Sequence, residues 1–242
     1  MNNFFLDLGS SVVPWYVIVI AAVCVYFLGN INPAILIGRA KGIDIREQGS
    51  GNAGATNAMR SLGKKAGAAT FLIDVLKGWV GFFVPYTIFL RFLLQDEAIA
   101  SSGIQETLGA LTIVSSHSML CGLCVALGHM YPAAFGFRGG KGVATAFGVL
   151  LGYSWPIALI LFGIVIVFTA IFRRVSLSVM IAVAVALVIA LLPNYGPPER
   201  YPQLWIIILL VLVVWKHRSN IKRLFKGEEP KLSFGRKKEN GQ

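Results

Sequence analysis

Charged residues are scarce in this chain. Asp, Glu, Lys and Arg make up 14% of its 242 residues, hydrophobic residues make up 56%, and mean hydropathy is +0.70. A water-soluble domain of this size needs a far more polar surface, so lipid is the solvent for most of the chain. Acid is scarcer still, with 11 Asp and Glu against 22 Lys and Arg, a formal net charge of +11. In a soluble protein that excess would point to nucleic acid. Here the basic residues lie between long apolar runs, which argues against a nucleic-acid partner and makes them topology signals and candidate anion ligands. Only three cysteines occur. Cys24, Cys121 and Cys124 all fall inside apolar runs, so no disulfide framework is expected, and a lone Cys121-x-x-Cys124 lacks the second ligand pair of a zinc site. They read as small packing residues on a helical face. Met1 to Ser10 carries no Lys or Arg, so a cleavable leader is not expected and the first apolar run stays as the first helix.

Several catalytic signatures are missing too. The His-x4-Asp dyad common in acyltransferases that use acyl-CoA is absent at all three histidines, because Gly122, Ala134 and Lys222 stand four residues beyond the x4 start of His117, His129 and His217. No Gly-x-Ser-x-Gly nucleophile elbow occurs, and no carboxylate cluster suggests a metal. No metal or cofactor is expected. The chemistry must rest on positioning and positive charge, with a substrate that already carries a good leaving group.

What the chain has in abundance is apolar length. A membrane helix needs about 20 apolar residues, and runs at about 12–37, 66–94, 107–127, 175–192 and 203–215 answer to that. The stretch 143–172 is interrupted only by Gly152, Tyr153, Ser154, Trp155 and Pro156. Arg138 and Lys141 precede it and Arg173 and Arg174 follow it, and short basic loops stay in the cytoplasm. Two crossings keep both loops inside, so the sequence predicts a hairpin turning near Gly152 to Pro156, its first arm short enough to tilt or stop part way. The expectation is an all-α polytopic membrane protein with seven transmembrane helices, the N-terminus outside and the C-terminus cytoplasmic. Charge is distributed accordingly. Inner segments hold Arg39, Lys41, Arg46, Arg60, Lys64, Lys65, Arg138, Lys141, Arg173, Arg174 and the Lys and Arg residues from Lys216 to Lys238. Outer segments hold Asp7, Asp96, Glu97, Glu106 and Glu199 with Arg91 and Arg200. Residues 1–230 read as one transmembrane domain and 231–242 as a polar, mobile cytoplasmic tail.

Three segments could carry chemistry. In the loop after the first helix, Gly49, Gly51 and Gly54 let the backbone aim amides at an anion. Ser50, Asn52, Thr56 and Asn57 add side-chain hydrogen bonds, and Arg60 a bidentate fork. The bland alternative is a polar turn before the next helix. Next comes Gly128-His129-Met130-Tyr131-Pro132, then Arg138-Gly139-Gly140-Lys141-Gly142, a turn that opens a helix and offers amides and one lysine to phosphate. It lacks Walker A spacing, and a juxtamembrane basic anchor would explain the charge without explaining three glycines. Last is Lys216 to Glu229, in which His217 and Asn220 share a helical face; binding of anionic lipid is its alternative. Asp74 and Lys77, in the second helix, should pair with each other or with the loop sites. His117 reads as a buried, hydrogen-bonded histidine, and Ser176 and Ser178 could line the site. A carrier for phosphorylated metabolites is the competing class, but no inverted repeat is visible and every motif falls on one side.

These motifs, in this order, resemble the PlsY family of bacterial membrane acyltransferases. The resemblance runs from Asn30-Ile31-Asn32-Pro33 to Glu229. It rests on Gly-Ser-Gly-Asn-x-Gly-Ala-Thr-Asn at 49–57 with Arg60, Gly-His-x-x-Pro at 128–132 leading to Gly-Gly-Lys-Gly-Val-Ala-Thr at 139–145, and His-Arg-x-Asn-Ile-x-Arg-Leu at 217–224. Tyr131 stands where the family often has Phe, Arg138 where Lys is usual, and the tail beyond Glu229 is long. The resemblance implies transfer of a fatty acyl group from acyl phosphate to glycerol 3-phosphate, giving lysophosphatidic acid, at the cytoplasmic face of the bacterial inner membrane. It implies catalytic roles for Ser50, Arg60, Lys141, His217 and Asn220. Substrate contacts would come from Gly51, Asn52, Gly54, Thr56, Asn57, His129, Gly139, Gly140, Gly142, Ser176 and Glu229. Two phosphate monoesters, each carrying roughly −1.5 to −2 charges, repel in one pocket unless cations converge. Acyl phosphate can then accept the hydroxyl proton itself.

Overall fold

The computed structural model describes residues 13–192 and 201–232. The leader reading and the charges at Asp7, Glu199, Arg200 and residues 233–242 lie outside them. In chain order the helices are α1 (Trp15–Asn30), α2 (Pro33–Ala40), α3 (Ala55–Leu62), α4 (Lys64–Leu94), α5 (Glu97–Ala100), α6 (Ile104–Met130), α7 (Val143–Tyr153), α8 (Trp155–Phe172), α9 (Val175–Leu191), α10 (Tyr201–Lys216) and α11 (Arg218–Phe225), and no strand occurs among the described residues. Every apolar run read from the sequence is helical. Among the described residues, four helical stretches are long and apolar enough to cross a membrane: Trp15–Ala40, Lys64–Leu94, Ile104–Phe135 and Trp155–Phe172. Pro202–Lys216 with Arg218–Phe225 makes a fifth if that pair, bent by 56°, is one span.

Two departures from the expected helices position the site. The first run is not one continuous helix, because Pro33 has no N–H to give and Asn32 turns extended to cap α2, accepting from the Ile35 amide at 3.1 Å. The break strands the carbonyls of Gly29 and Ile31, and Nζ of Lys77 takes both, at 3.2 and 2.7 Å. The glycine-rich segment is the second. Past Gly54 it winds into α3, so Thr56, Asn57 and Arg60 stand on a short helix instead of in a loop.

The hairpin turns where expected. α7 ends at Tyr153, Ser154 is extended, and α8 restarts with Pro156 in its first turn, where a missing N–H does no harm. With 11 residues, α7 is roughly 16 Å long, about half the hydrocarbon thickness.

α6 lies at the centre, against α1, α4 and α10, while α7 packs on α4 and α8 on α9. The α4–α7 contact is close because Gly78 meets the backbone of Thr145 and Gly148 meets the Val75 carbonyl, leaving no room for a Cβ on either glycine. Val125, Met119 and Cys121 of α6 are fully buried in the main core, with Cys124 packed against it; the packing role expected of the cysteines holds for these two and not for Cys24, which is exposed on α1. His117 corrects the expectation of a hydrogen-bonded histidine: its ring stands edge-on to Phe89, centroids 6.3 Å apart, and Nδ1 finds no hydrogen-bond partner.

Candidate active site

A cavity of about 260 Å³ opens where the three sequence motifs converge. Its mouth is polar and its depth apolar. Ser50, Asn52, Gly54, Thr56, Asn57 and Arg60 reach it from the glycine-rich segment and α3, Lys141 from the loop before α7, Ser176 from α9, His217 and Asn220 from the α10–α11 bend, and Glu229 from the chain beyond α11. Below them the walls are Phe, Val, Leu and Ala side chains of α7, α8, α9 and α10, with Phe71, Phe147 and Phe162 in a stack whose centroids are 4.8–6.4 Å apart.

The mouth is held by one hydrogen-bonded chain. Lys141 Nζ donates to Asn220 Oδ1. Asn220 Nδ2 donates to Glu229 Oε1 at 2.6 Å, and Ser176 Oγ donates to the same oxygen at 2.6 Å. Arg223 completes it, Nε to Glu229 Oε2 at 2.8 Å. Burial alone would raise the Glu229 pKa. The bonds from Ser176, Asn220 and Arg223 outweigh it and hold the carboxyl below the usual carboxylate range. Lys141 moves the other way. Burial disfavours its ammonium and the cations of Arg223, Lys216 and Arg60 repel it, so that despite the nearby Glu229 its pKa falls to about 8.

His217 sits at the bend, with Lys216 beside it tied to the end of α6. Lys216 Nζ donates to the Met130 carbonyl at 3.0 Å and lies 4.4 Å from the centroid of the Tyr131 ring. Nδ1 of His217 is 2.8 Å from the carbonyl oxygen of Val213. A carbonyl can only accept, so Nδ1 carries the proton and the neutral ring keeps its lone pair on Nε2.

The charges at the mouth do not cancel locally. Among the described residues, two carboxylates line the cavity, Asp74 and Glu229. Asp74 is matched by Lys77 at 2.8 Å, the pair expected within α4, and Glu229 by Arg223. That leaves Arg60 and Lys141. Arg60 is exposed and engaged with no hydrogen bond or ion pair among the described residues. Arg46, counted with the inner cations, is instead neutralised locally by Asp44 at 2.7 Å and braces the Phe135 carbonyl at 3.1 Å. The Arg46 bonds hold the Asp44 carboxyl down at about 2.

Of the residues expected to be catalytic or to contact substrate, Gly51, His129, Gly139, Gly140 and Gly142 do not line the cavity. His129 is buried beneath the lysine loop, its Nδ1 2.9 Å from Lys77 Nζ and 3.3 Å from Asp74 Oδ1. Gly140 lies on its ring with no space for a side chain. The amides of Gly139 and Gly140 donate to the carbonyls of Met130 and His129 at 3.3 and 3.1 Å, so they anchor the loop and are not free for an anion. Gly142 takes φ +77 as the turn enters α7. Asn57 lines the cavity but is committed to the loop, accepting from the Ser50 amide at 3.0 Å and donating to the carbonyls of Ile45 and Gln48. Ser178 bonds the Arg174 carbonyl within α9 and does not reach the cavity. Two contributors escaped sequence reasoning. Asp74 pairs with Lys77 as the sequence predicts, but nothing in the spacing places it in the cavity wall. Arg223 lay inside a quoted motif, and the signal for its role was an Arg and a Glu on either side of the turn at Gly227.

Comparison with known proteins gives a consistent picture. The family model described as glycerol-3-phosphate acyltransferase matches residues 19–227. A glycerol-3-phosphate acyltransferase of Clostridioides difficile strain 630 is 40% identical over 223 residues, 91% of this chain and 97% of the relative. One from Bacillus subtilis strain 168 is 33% identical over 218 residues, 90% and 98% of the two chains. Among solved structures, the glycerol 3-phosphate form of PlsY, an integral membrane glycerol 3-phosphate acyltransferase, superposes with a TM-score of 0.70 at 36% identity, covering 89% of this chain and 96% of that one. The lysophosphatidic acid form gives 0.67 at 35% identity.

Proposed function

Since the chain belongs to the glycerol-3-phosphate acyltransferase family, we propose that it transfers a fatty acyl group from acyl phosphate to glycerol 3-phosphate and releases lysophosphatidic acid and phosphate. The observation that carries this reading is the joining of two unlike environments in one cavity. Arg60 and Lys141 stand unneutralised at a polar mouth, and an apolar depth lies directly beneath them. A phosphorylated amphiphile fits both at once, and a second phosphate fits the same mouth only because cations offset the repulsion.

In the reaction the hydroxyl oxygen of glycerol 3-phosphate attacks the acyl carbonyl carbon. The new ester C–O bond forms, the bond from that carbon to the bridging phosphate oxygen breaks, and the hydroxyl proton passes to the departing phosphate. His217 Nε2 accepts a hydrogen bond from the attacking hydroxyl and aims it. Lys141, held by Asn220, and Arg60 gather the phosphate charge, with Ser50, Asn52 and Thr56 donating to phosphate oxygens. Asn220 and Ser176 are already tied to Glu229, so they set the shape of the mouth as well as meeting the glycerol.

In this reading the chain sits in the bacterial inner membrane with its N-terminus outside, its C-terminus in the cytoplasm and the mouth on the cytoplasmic side. The α7–α8 hairpin returns both basic loops to that side, α7 crossing part way. Purified protein in detergent, given glycerol 3-phosphate with either acyl phosphate or acyl-CoA, tests the donor. Lysophospholipid should form from acyl phosphate alone. Equal use of acyl-CoA would refute the donor assignment, and liposome uptake of labelled glycerol 3-phosphate without any acyl donor would favour a carrier.

A further inference from the structure

The cavity has an end, and the end is built differently from the mouth. Ten residues of α9 separate Ser176 at the mouth from Ala186, roughly 15 Å of helix. At that depth one residue from each of three helices closes round the space: Leu150 from α7, Leu161 from α8 and Ala186 from α9. All three are nearly buried, at 8%, 7% and 6% exposure, so packed side chains narrow the space there. The same three side chains also wall a second, much smaller cavity of about 20 Å³ on their far side. Its walls are mainly apolar, with Ile157, Ile189, Ala190 and Ile206 beside Tyr153, Ser154 and Gln203. Two spaces that share three wall residues make a channel with a constriction.

We infer that Leu150, Leu161 and Ala186 form the stop that fixes the longest acyl chain this enzyme accepts, an inference that rests on the acyltransferase reading above. The mouth pins the phosphate end of the donor, so chain length alone decides how deep the terminal methyl reaches. Up to the constriction every added methylene leaves water for an apolar wall and favours binding. Beyond it the methyl must force apart packed side chains, which is unfavourable. The small space beyond the stop is a reserve that opens only when a side chain at the stop is cut back.

Two substitutions move the stop in opposite directions. Leu161→Ala merges the two cavities, and Ala186→Phe fills the constriction. The test measures kcat/KM for lysophosphatidic acid formation by the parent and both variants across saturated donors from octanoyl to eicosanoyl phosphate. The parent should show a sharp upper limit. Leu161→Ala should raise the longest donors relative to the shorter ones, and Ala186→Phe should lower them, each by about tenfold, the discrimination that a methylene or two produces in an apolar pocket. The shortest donors serve as the internal reference and should differ little among the three proteins. Profiles that keep the parent's shape, whether at full rate or uniformly reduced, overturn the assignment. A parent inactive with every donor would instead sink the acyltransferase reading itself.

Discussion

Lys141 reaches the mouth already hydrogen-bonded to Asn220, whereas Arg60 has no partner among the described residues. The difference sets what each loss should look like. Lys141→Ala removes a positioned cation from a partly buried site, and Arg60→Ala removes an exposed one whose order depends on substrate. Both should lower kcat/KM by about a hundredfold, the scale of a charge-assisted contact in a preorganised site. Arg60→Ala should act mainly on KM and be partly mimicked by added salt in the parent. Activity within a few-fold of the parent would remove either residue from the site.

At this scale the sequence revealed residue type better than direction. Lys141, Arg60, His217 and Asn220 were legible because they are polar groups next to apolar runs. That the His129 ring points down toward Asp74 and Lys77 was not, because a residue at the end of a helix can face the mouth or the core with the same spacing. Nor could spacing tell a free amide from an engaged one, which is why Gly139 and Gly140 looked like anion donors. Each instead bonds a carbonyl near the end of α6, Met130 for Gly139 and His129 for Gly140.

Among elements, α7 is the one on which the site depends most. It carries the lysine loop at its start, walls the cavity along its length and is pressed against α4 through Gly78 and Gly148. Gly148→Leu would drive a side chain into the Val75 carbonyl and the Trp79 amide, and should destabilise the protein by about 3 kcal/mol or more. Gly163 of α8 has nothing near its missing Cβ, so Gly163→Leu should leave the thermal midpoint nearly unchanged. Similar midpoints for the two variants would contradict the α4–α7 contact. Element type was readable from hydropathy, since the apolar runs and the Gly152 to Pro156 turn all appear as helices and a break between them. The break before Pro33 and the winding of α3 were not. In the first the apolar run hides a cap built by Asn32, and in the second a glycine-rich start masks a strongly amphipathic helix.

Across the whole molecule, charge and hydropathy meet in one arrangement, with basic loops at one end of a bundle and an apolar cavity descending from them. Its orientation can be read with single cysteines in a variant lacking Cys24, Cys121 and Cys124. An impermeant maleimide added to intact cells should label Ser102→Cys, in the turn between α5 and α6, and should reach Arg138→Cys only after permeabilisation. Labelling of Arg138→Cys in intact cells would place the mouth outside and contradict the account.

The central claim is that Arg60 and Lys141 hold phosphate at the mouth, and calorimetric titration of detergent-purified protein with glycerol 3-phosphate tests it most directly. The Lys141 ammonium is lost as pH rises through about 8, while a bound dianion pulls the proton back on, so binding takes up a proton in that range and weakens above it. The account predicts measurable affinity at neutral pH, a clear loss one unit above that pKa, a shallower loss in Lys141→Arg, and at least a tenfold loss in Lys141→Ala and in Arg60→Ala. Affinity that is the same in all these proteins and flat across that pH range would contradict it.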